Sequence, residues 1–408
     1  MKKSLLFVFA VLIVIIRSDG KQLIEGEEKG SKIIPAAHRM SAYLPMLKGK
    51  KVALFANHTT MIDDVHLVDT LKKSGVEIVK IFAPEHGFRG TADAGQKFDN
   101  SIDPATGIPV ISLYGKKRKP STEDLKDVDL LLFDIQDVGV RFYTYISSLE
   151  EYIESAIEQN KPLIILDRPN PNGFYVDGPV LDKKFKSFVG MQPVPVVYGM
   201  TIGEYANMII NENWLTESAN SKRKSSGWKA TIIKCANYTH SSRYILPVKP
   251  SPNLPDIQSI YLYPSTCFFE GTVLSEGRGT DKPFQQFGHP SLPKNLDSFT
   301  PRSMEGATNP KLKNQVCYGW NLSGTPDRVL SEVDNRLQVA YLLEAYKLFP
   351  EKDNFFLKNN FINLLAGSDM LKNQVLSGKS ELEIRKSWEP ALTEFKKTRK
   401  KYLLYTDF

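Results

Sequence analysis

The chain has 408 residues, 41% of them hydrophobic and 24% charged, with a formal net charge of +7. That length suits two domains with separate cores, and the composition is ordinary for a globular protein. The basic surplus is modest and scattered and forms no single stripe, which argues against a nucleic acid as partner.

At the N-terminus, Lys2 and Lys3 precede the apolar run Leu5–Ile16, and Ser18 and Gly20 are small residues at the −3 and −1 positions of a cut after Gly20. The run is short for a bilayer span. Residues 1–20 therefore read as a signal peptide, and the mature chain as periplasmic or secreted with no membrane attachment. Cys235, Cys267 and Cys317 are widely spaced and read as small buried apolar residues.

From about residue 40 to 245, short apolar runs alternate with helical segments. Strands are expected at Lys51–Ala56, Val76–Phe82, Pro109–Leu113, Val128–Phe133, Pro162–Leu166 and Thr231–Lys234. Helices are expected at Asp64–Lys73, Ser147–Glu158 and Thr201–Asn211. Near-continuous apolar strands between helices imply a parallel sheet covered on both faces, an α/β, Rossmann-like doubly wound fold. The proline-dense Leu246–Pro255 reads as a connection to a smaller α+β domain over 246–408. There, strand-like runs occur at Cys267–Leu274 and Gln315–Trp320. Ser380 and Glu383 make a capping box for a final helix with Ile384, Trp388, Leu392 and Phe395 on one face.

Five strand-end loops carry polar groups: Asn57 and His58; Glu85, His86 and Arg89; Tyr114; Asp134, Gln136, Asp137, Arg141 and Tyr143; and Asp167, Arg168 and Asn170. In a doubly wound sheet such loops emerge along one edge, where these folds bind ligands. Carboxylates and amides bridge hydroxyl pairs, arginines fork onto a carboxylate, and aromatic faces stack on sugar rings, so the set suits a polyhydroxylated, anionic ligand. Glu276 and Arg278 in the second domain are expected to close the cleft from the far side. Glu85, flanked by Phe82 and Phe88, has the apolar setting that a general acid needs. No GxGxxG, GxxxxGKS, GxSxG, HExxH or CxxC pattern is present, so no cofactor or metal is expected. Two other readings stay open on the residues alone: a non-catalytic binding protein, and a metal-dependent hydrolase built on His58, Glu85 and Asp134.

The ordered blocks APEHGFRGTADAG, SLYG, FDIQDVGVRFYTYISSL, LDRPNPNG with DGPVLD, GMTIGE, PSPNLP and EGTVLSEGRGT, from about Ala53 to Phe284, resemble the exo-β-N-acetylmuramidases, a glycoside hydrolase family once classed as a domain of unknown function. The resemblance implies a Rossmann-like domain joined to a smaller β-containing domain, with the active site in the cleft between them. It implies release of N-acetylmuramic acid from the non-reducing end of β-1,4-linked peptidoglycan fragments, with Glu85 in the place of the family's cleft glutamate. Asp134, Asp137 or Glu276 is then the second carboxylate, attacking directly or orienting the substrate's acetamide. Arg89, Arg141, Arg168 and Arg278 are the candidates for the substrate carboxylate. One departure stands out: family members often carry histidine before Gly-Met-Thr, where this chain has Tyr198.

Overall fold

In a computed structural model of the chain, the described residues are 32–85, 87–88 and 99–408. The expected signal peptide, His86 and Arg89 lie outside them. Among the described residues, seven strands form one sheet in the order β5-β6-β4-β1-β7-β8-β9. They are β1 (Lys51–Ala56), β4 (Glu77–Ala83), β5 (Ser101–Ile102), β6 (Pro109–Ser112), β7 (Leu130–Asp134), β8 (Leu163–Leu166) and β9 (Thr231–Ile233). All pairings are parallel except β5 with β6. Between β1 and the next long strand lies the small hairpin β2 (Met61–Ile62) and β3 (Val65–His66), so the expected helix Asp64–Lys73 begins only at Leu67.

The period-2 alternation of strand side chains divides the apolar residues between two cores. Phe55, Phe82, Leu131, Phe133 and Ile165 face the helices Tyr145–Glu158 and Ile202–Asn211. Leu54, Ile81, Leu130, Leu132 and Ile164 face Met40–Leu47 and Leu67–Lys73 on the other side. Tyr152 anchors the first core, edge-on to Phe55 at 5.1 Å, with its hydroxyl donating to the Ala53 carbonyl at 3.2 Å.

The later part carries an antiparallel sheet, ordered β10-β12-β11, from β10 (Gln286–His289), β11 (Asp297–Phe299) and β12 (Cys317–Asn321). It ends in the helix Glu381–Lys400, which has the expected Ser380–Glu383 capping box and buries Ile384, Trp388, Leu392 and Phe395. The strand expected over Cys267–Leu274 is absent. A helix runs through Ile257–Thr266, capped by Asp256 and Ser259, and continues as a 3-10 turn over Cys267–Gly271. Nearly every residue there is buried, and an apolar run buried on all sides has no period by which to tell strand from helix.

The segment after the last helix folds back onto the first half. Tyr405 donates to Asp167 Oδ2 at 2.6 Å, the Leu404 amide donates to Glu204 Oε1 at 2.6 Å, and the His240 amide donates to the Thr406 carbonyl at 2.9 Å. Ile33–Phe408 forms one compact unit. Among the described residues no helix is long and apolar enough to cross a membrane, and all three cysteines are free and buried.

Candidate active site

The chain runs outward from β1 to β4 on one side and returns to β7 on the other, so the carboxyl ends of these strands flank a topological switch point. β4 and β6 pair with Ala83 opposite Ser112. Glu85 and Tyr114 each lie two residues past these partners and therefore meet: Tyr114 donates its hydroxyl to Glu85 Oε1 at 2.9 Å. Burial, reinforced by the Glu85 charge, pushes the Tyr114 phenol up and keeps it a donor.

Both residues line a cavity of about 790 Å³. Its floor is the turn entering the helix Tyr145–Glu158. Tyr145 accepts from Asn57 Nδ2 at 2.9 Å, and Tyr143 donates to the Pro250 carbonyl at 2.7 Å, with the two rings edge to face at 4.8 Å. These bonds fix two aromatic walls with little freedom to rearrange.

The facing wall comes from the later part of the chain: Glu270, Glu276, Arg278, Phe284 and Lys311. Arg278 Nη2 lies 2.6 Å from Glu270 Oε1 and its Nε 3.3 Å from Glu276 Oε1, while Lys311 Nζ lies 2.9 Å from Glu276 Oε2. Burial alone would raise the Glu276 carboxyl, but the two cations outweigh it and hold the group below the usual carboxylate range. Glu276 is therefore a fixed negative charge. Phe284 holds φ +60, a left-handed conformation rare for an aromatic residue, with its ring 5.1 Å from the Arg278 guanidinium and 4.8 Å from Tyr263.

Of the residues singled out in the sequence, Glu85, Tyr114, Tyr143, Glu276 and Arg278 line this cavity. The others among the described residues lie elsewhere. Asp134 and Arg168 are buried against each other in a two-bond pair of 2.6 and 2.7 Å. Asp137 accepts from the Gly139 amide at 2.7 Å and from the Tyr198 hydroxyl, and burial lifts its carboxyl to about 6. Tyr198 is thus a buried partner of Asp137 and does not line the cavity. Arg141 is buried with its guanidinium donating to the carbonyls of Pro179, Val194 and Leu365 at 2.7–2.8 Å. Asp167 receives Thr201, Gly203 and Tyr405. Gln136 donates to the Asp137 and Pro169 carbonyls, and Asn170 to that of Met200. Gly139 has φ +76, and a Cβ there would sit 2.2 Å from Asn170 Oδ1, so this loop takes only glycine. Asn57 braces Tyr145 from below. His58 donates to the Lys249 carbonyl at 2.9 Å and lines a separate hollow of about 300 Å³ with His66, Asp64 and Asp69. Among the described residues no three His, Cys, Asp or Glu side chains are grouped to hold a metal.

Sequence reasoning missed Glu270, Tyr145, Lys311, Lys116 and Arg118, which also line the cavity. Glu270 and Tyr145 sit inside the blocks EGTVLSEGRGT and FYTYISSL. Lys311 follows a stretch without any recognisable pattern, so nothing in the chain announces it.

The profile of the family described as "exo-beta-N-acetylmuramidase NamZ" matches in both parts, its N-terminal region over residues 52–258 and its C-terminal region over 261–405. The chain belongs to the NamZ exo-β-N-acetylmuramidase family. It is 38% identical to the peptidoglycan β-N-acetylmuramidase NamZ of Bacillus subtilis strain 168 over 389 residues, 89% of each chain. It is a glycosidase. Two crystal structures of proteins from Bacteroides fragilis NCTC 9343, described as members of a family of unknown function, share the architecture. One has a TM-score of 0.83 and 45% identity, over 93% of this chain and 100% of that one. The other has a TM-score of 0.76 and 28% identity, over 92% and 99%.

Proposed function

We propose that this protein is an exo-acting glycoside hydrolase that releases N-acetylmuramic acid from the non-reducing end of peptidoglycan fragments linked β-1,4 to N-acetylglucosamine. The observation that carries this reading is the Glu85–Tyr114 pair on one wall of the cavity, with ionised Glu276 on the facing wall, in a chain so similar to a peptidoglycan muramidase. Glycoside hydrolysis needs a proton for the leaving oxygen and negative charge for the oxocarbenium-like transition state. Glu85, aligned by Tyr114, donates the proton to the glycosidic oxygen as the C1–O bond breaks; water then forms the new C1–O bond, and the proton it releases restores Glu85. Glu276 supplies the negative charge, and the aromatic floor of Tyr143 and Tyr145 seats the sugar. With the N-terminal signal expected from Lys2 to Gly20, the work is done in the periplasm or outside the cell, on cell-wall fragments.

The test is release of free N-acetylmuramic acid from the disaccharide MurNAc-β-1,4-GlcNAc by the purified chain, beside Glu85→Gln, with and without EDTA. Release that survives EDTA and falls about 10²–10⁴-fold in kcat in the variant is expected for loss of a general acid. A variant as active as the parent removes Glu85 from the mechanism.

A further inference from the structure

Residues 116–119 read Lys-Lys-Arg-Lys, and the fold treats alternate members of this run differently. Lys117 pairs with Asp124 at 2.5 Å, and Lys119 with Glu154 and Glu158 at 3.1 and 2.6 Å. Both point into the protein's own carboxylates. Lys116 and Arg118 instead line the cavity, and among the described residues neither takes part in a hydrogen bond or an ion pair. The cavity's other cations are already engaged, Arg278 by Glu270 and Glu276 and Lys311 by Glu276.

Arg118 is also held in place. Its guanidinium lies over the Phe188 ring, 4.0 Å from the centroid, and Phe188 lines the same cavity. The Phe188 backbone is tied to the catalytic floor by Ser147, whose hydroxyl donates to its carbonyl at 2.8 Å. A guanidinium stacked on a ring loses rotational freedom but keeps its edge N–H groups free for a planar, bidentate acceptor. Lys116 has no such ring and offers only a mobile point charge. The Arg118 charge acts on the Tyr114 phenol, whose hydroxyl touches Glu85, and all three line one cavity, so Arg118 faces a ligand on the same side as the proton donor.

Building on the glycosidase reading above, we propose that Arg118 binds the substrate's carboxylate, the lactyl group that distinguishes a muramyl from a glucosaminyl residue, and so sets the specificity of the site. A charge-assisted bidentate pair of this kind is worth about a tenfold to hundredfold preference.

The experiment compares MurNAc-β-1,4-GlcNAc with its lactyl methyl ester as substrates for the parent chain, Arg118→Ala, Arg118→Lys and Lys116→Ala. Binding of free MurNAc and GlcNAc is measured by calorimetry on the same four proteins. The parent is expected to prefer the acid over the ester, and MurNAc over GlcNAc, by about tenfold or more. Arg118→Ala brings both ratios close to one, mainly through KM; Arg118→Lys restores them in part, and Lys116→Ala leaves them near the parent's. Ratios that are unchanged in Arg118→Ala, or a parent that shows no preference in binding, overturn the assignment. A parent that binds MurNAc selectively through Arg118 but cleaves neither substrate overturns the catalytic reading and leaves this one standing.

Discussion

Lys311 Nζ lies 2.9 Å from Glu276 Oε2 and from the same atom donates to the carbonyls of Phe269, Thr272 and Leu274 at 2.7–3.2 Å. One ammonium thus holds both the charge of a cavity-lining carboxylate and the shape of the irregular segment that carries it. Lys311→Met leaves Glu276 to Arg278 alone, and its carboxyl rises toward or above the ordinary range as burial gains the upper hand. A group that must be ionised loses activity as pH falls through its pKa, so the acid limb of the kcat profile moves to higher pH. An unmoved acid limb in this variant means that Glu276 carries no required charge.

Tyr114 reaches Glu85 through a single hydroxyl, which donates to Oε1 at 2.9 Å. Tyr114→Phe keeps the ring in the cavity wall and deletes that bond, which corresponds to about a 2- to 10-fold loss in kcat with little change in KM. Steady-state kinetics on the disaccharide decide it; a loss confined to KM makes Tyr114 a sugar-stacking residue and not the aligner of the acid.

The buried Asp134–Arg168 pair sits at the end of the central strands with no contact to the cavity. Asp134→Asn strands a buried guanidinium, and breaking such a pair costs about 3–5 kcal/mol. Urea unfolding should show that loss while KM on the remaining folded enzyme stays near the parent's. A loss below about 1 kcal/mol means the pair contributes specificity of fold and little stability.

Glu150 lies on the helix that begins at the cavity floor, fully buried, with Gln192 donating to Oε1 at 2.5 Å and Lys186 4.0 Å away. Burial pushes its carboxyl up to about 8 from the ordinary 4.5. Between those values the unfolded chain releases a proton that the folded one keeps, so stability falls as pH rises from about 4.5 to about 8. Glu150→Gln keeps the acceptor for Gln192 and removes the titration. It is expected to match the parent at pH 5 and to exceed it by about 1–3 kcal/mol at pH 8. Thermal melts at the two pH values give the answer, and an equal gap at both rejects titration as the cause.

The sheet was legible because its strands are nearly pure apolar runs bounded by turn residues. β1 is found at Lys51–Ala56 as read, and β4, β6, β7, β8 and β9 begin and end within two residues of the expected limits, whereas the two-residue edge strand β5 was not anticipated. The cavity wall that carries Glu85 was legible in part. Strand-end position alone brought Glu85 and Tyr114 forward, and the register of β4 with β6 joins them. The same rule also brought forward Asp134, Asp137, Asp167 and Arg168. It separates a loop that opens to solvent from one that closes on itself only when the partner is known, and those partners, Tyr198, Thr201 and Tyr405 among them, lie 34 to 238 residues away. The far wall was least legible. Glu270 lies on a turn read as strand, and Lys311 reaches Glu276 across 35 residues of loop and edge strand with no periodic pattern.

The bonds from Leu404, Tyr405 and Thr406 to Glu204, Asp167 and His240 have a consequence for synthesis. The α/β half is translated long before these residues emerge from the ribosome, and in that interval two of its interior carboxylates, at positions 167 and 204, lack a partner each. The nascent half is thus an incomplete domain and reaches its final packing only when residues 404–406 dock.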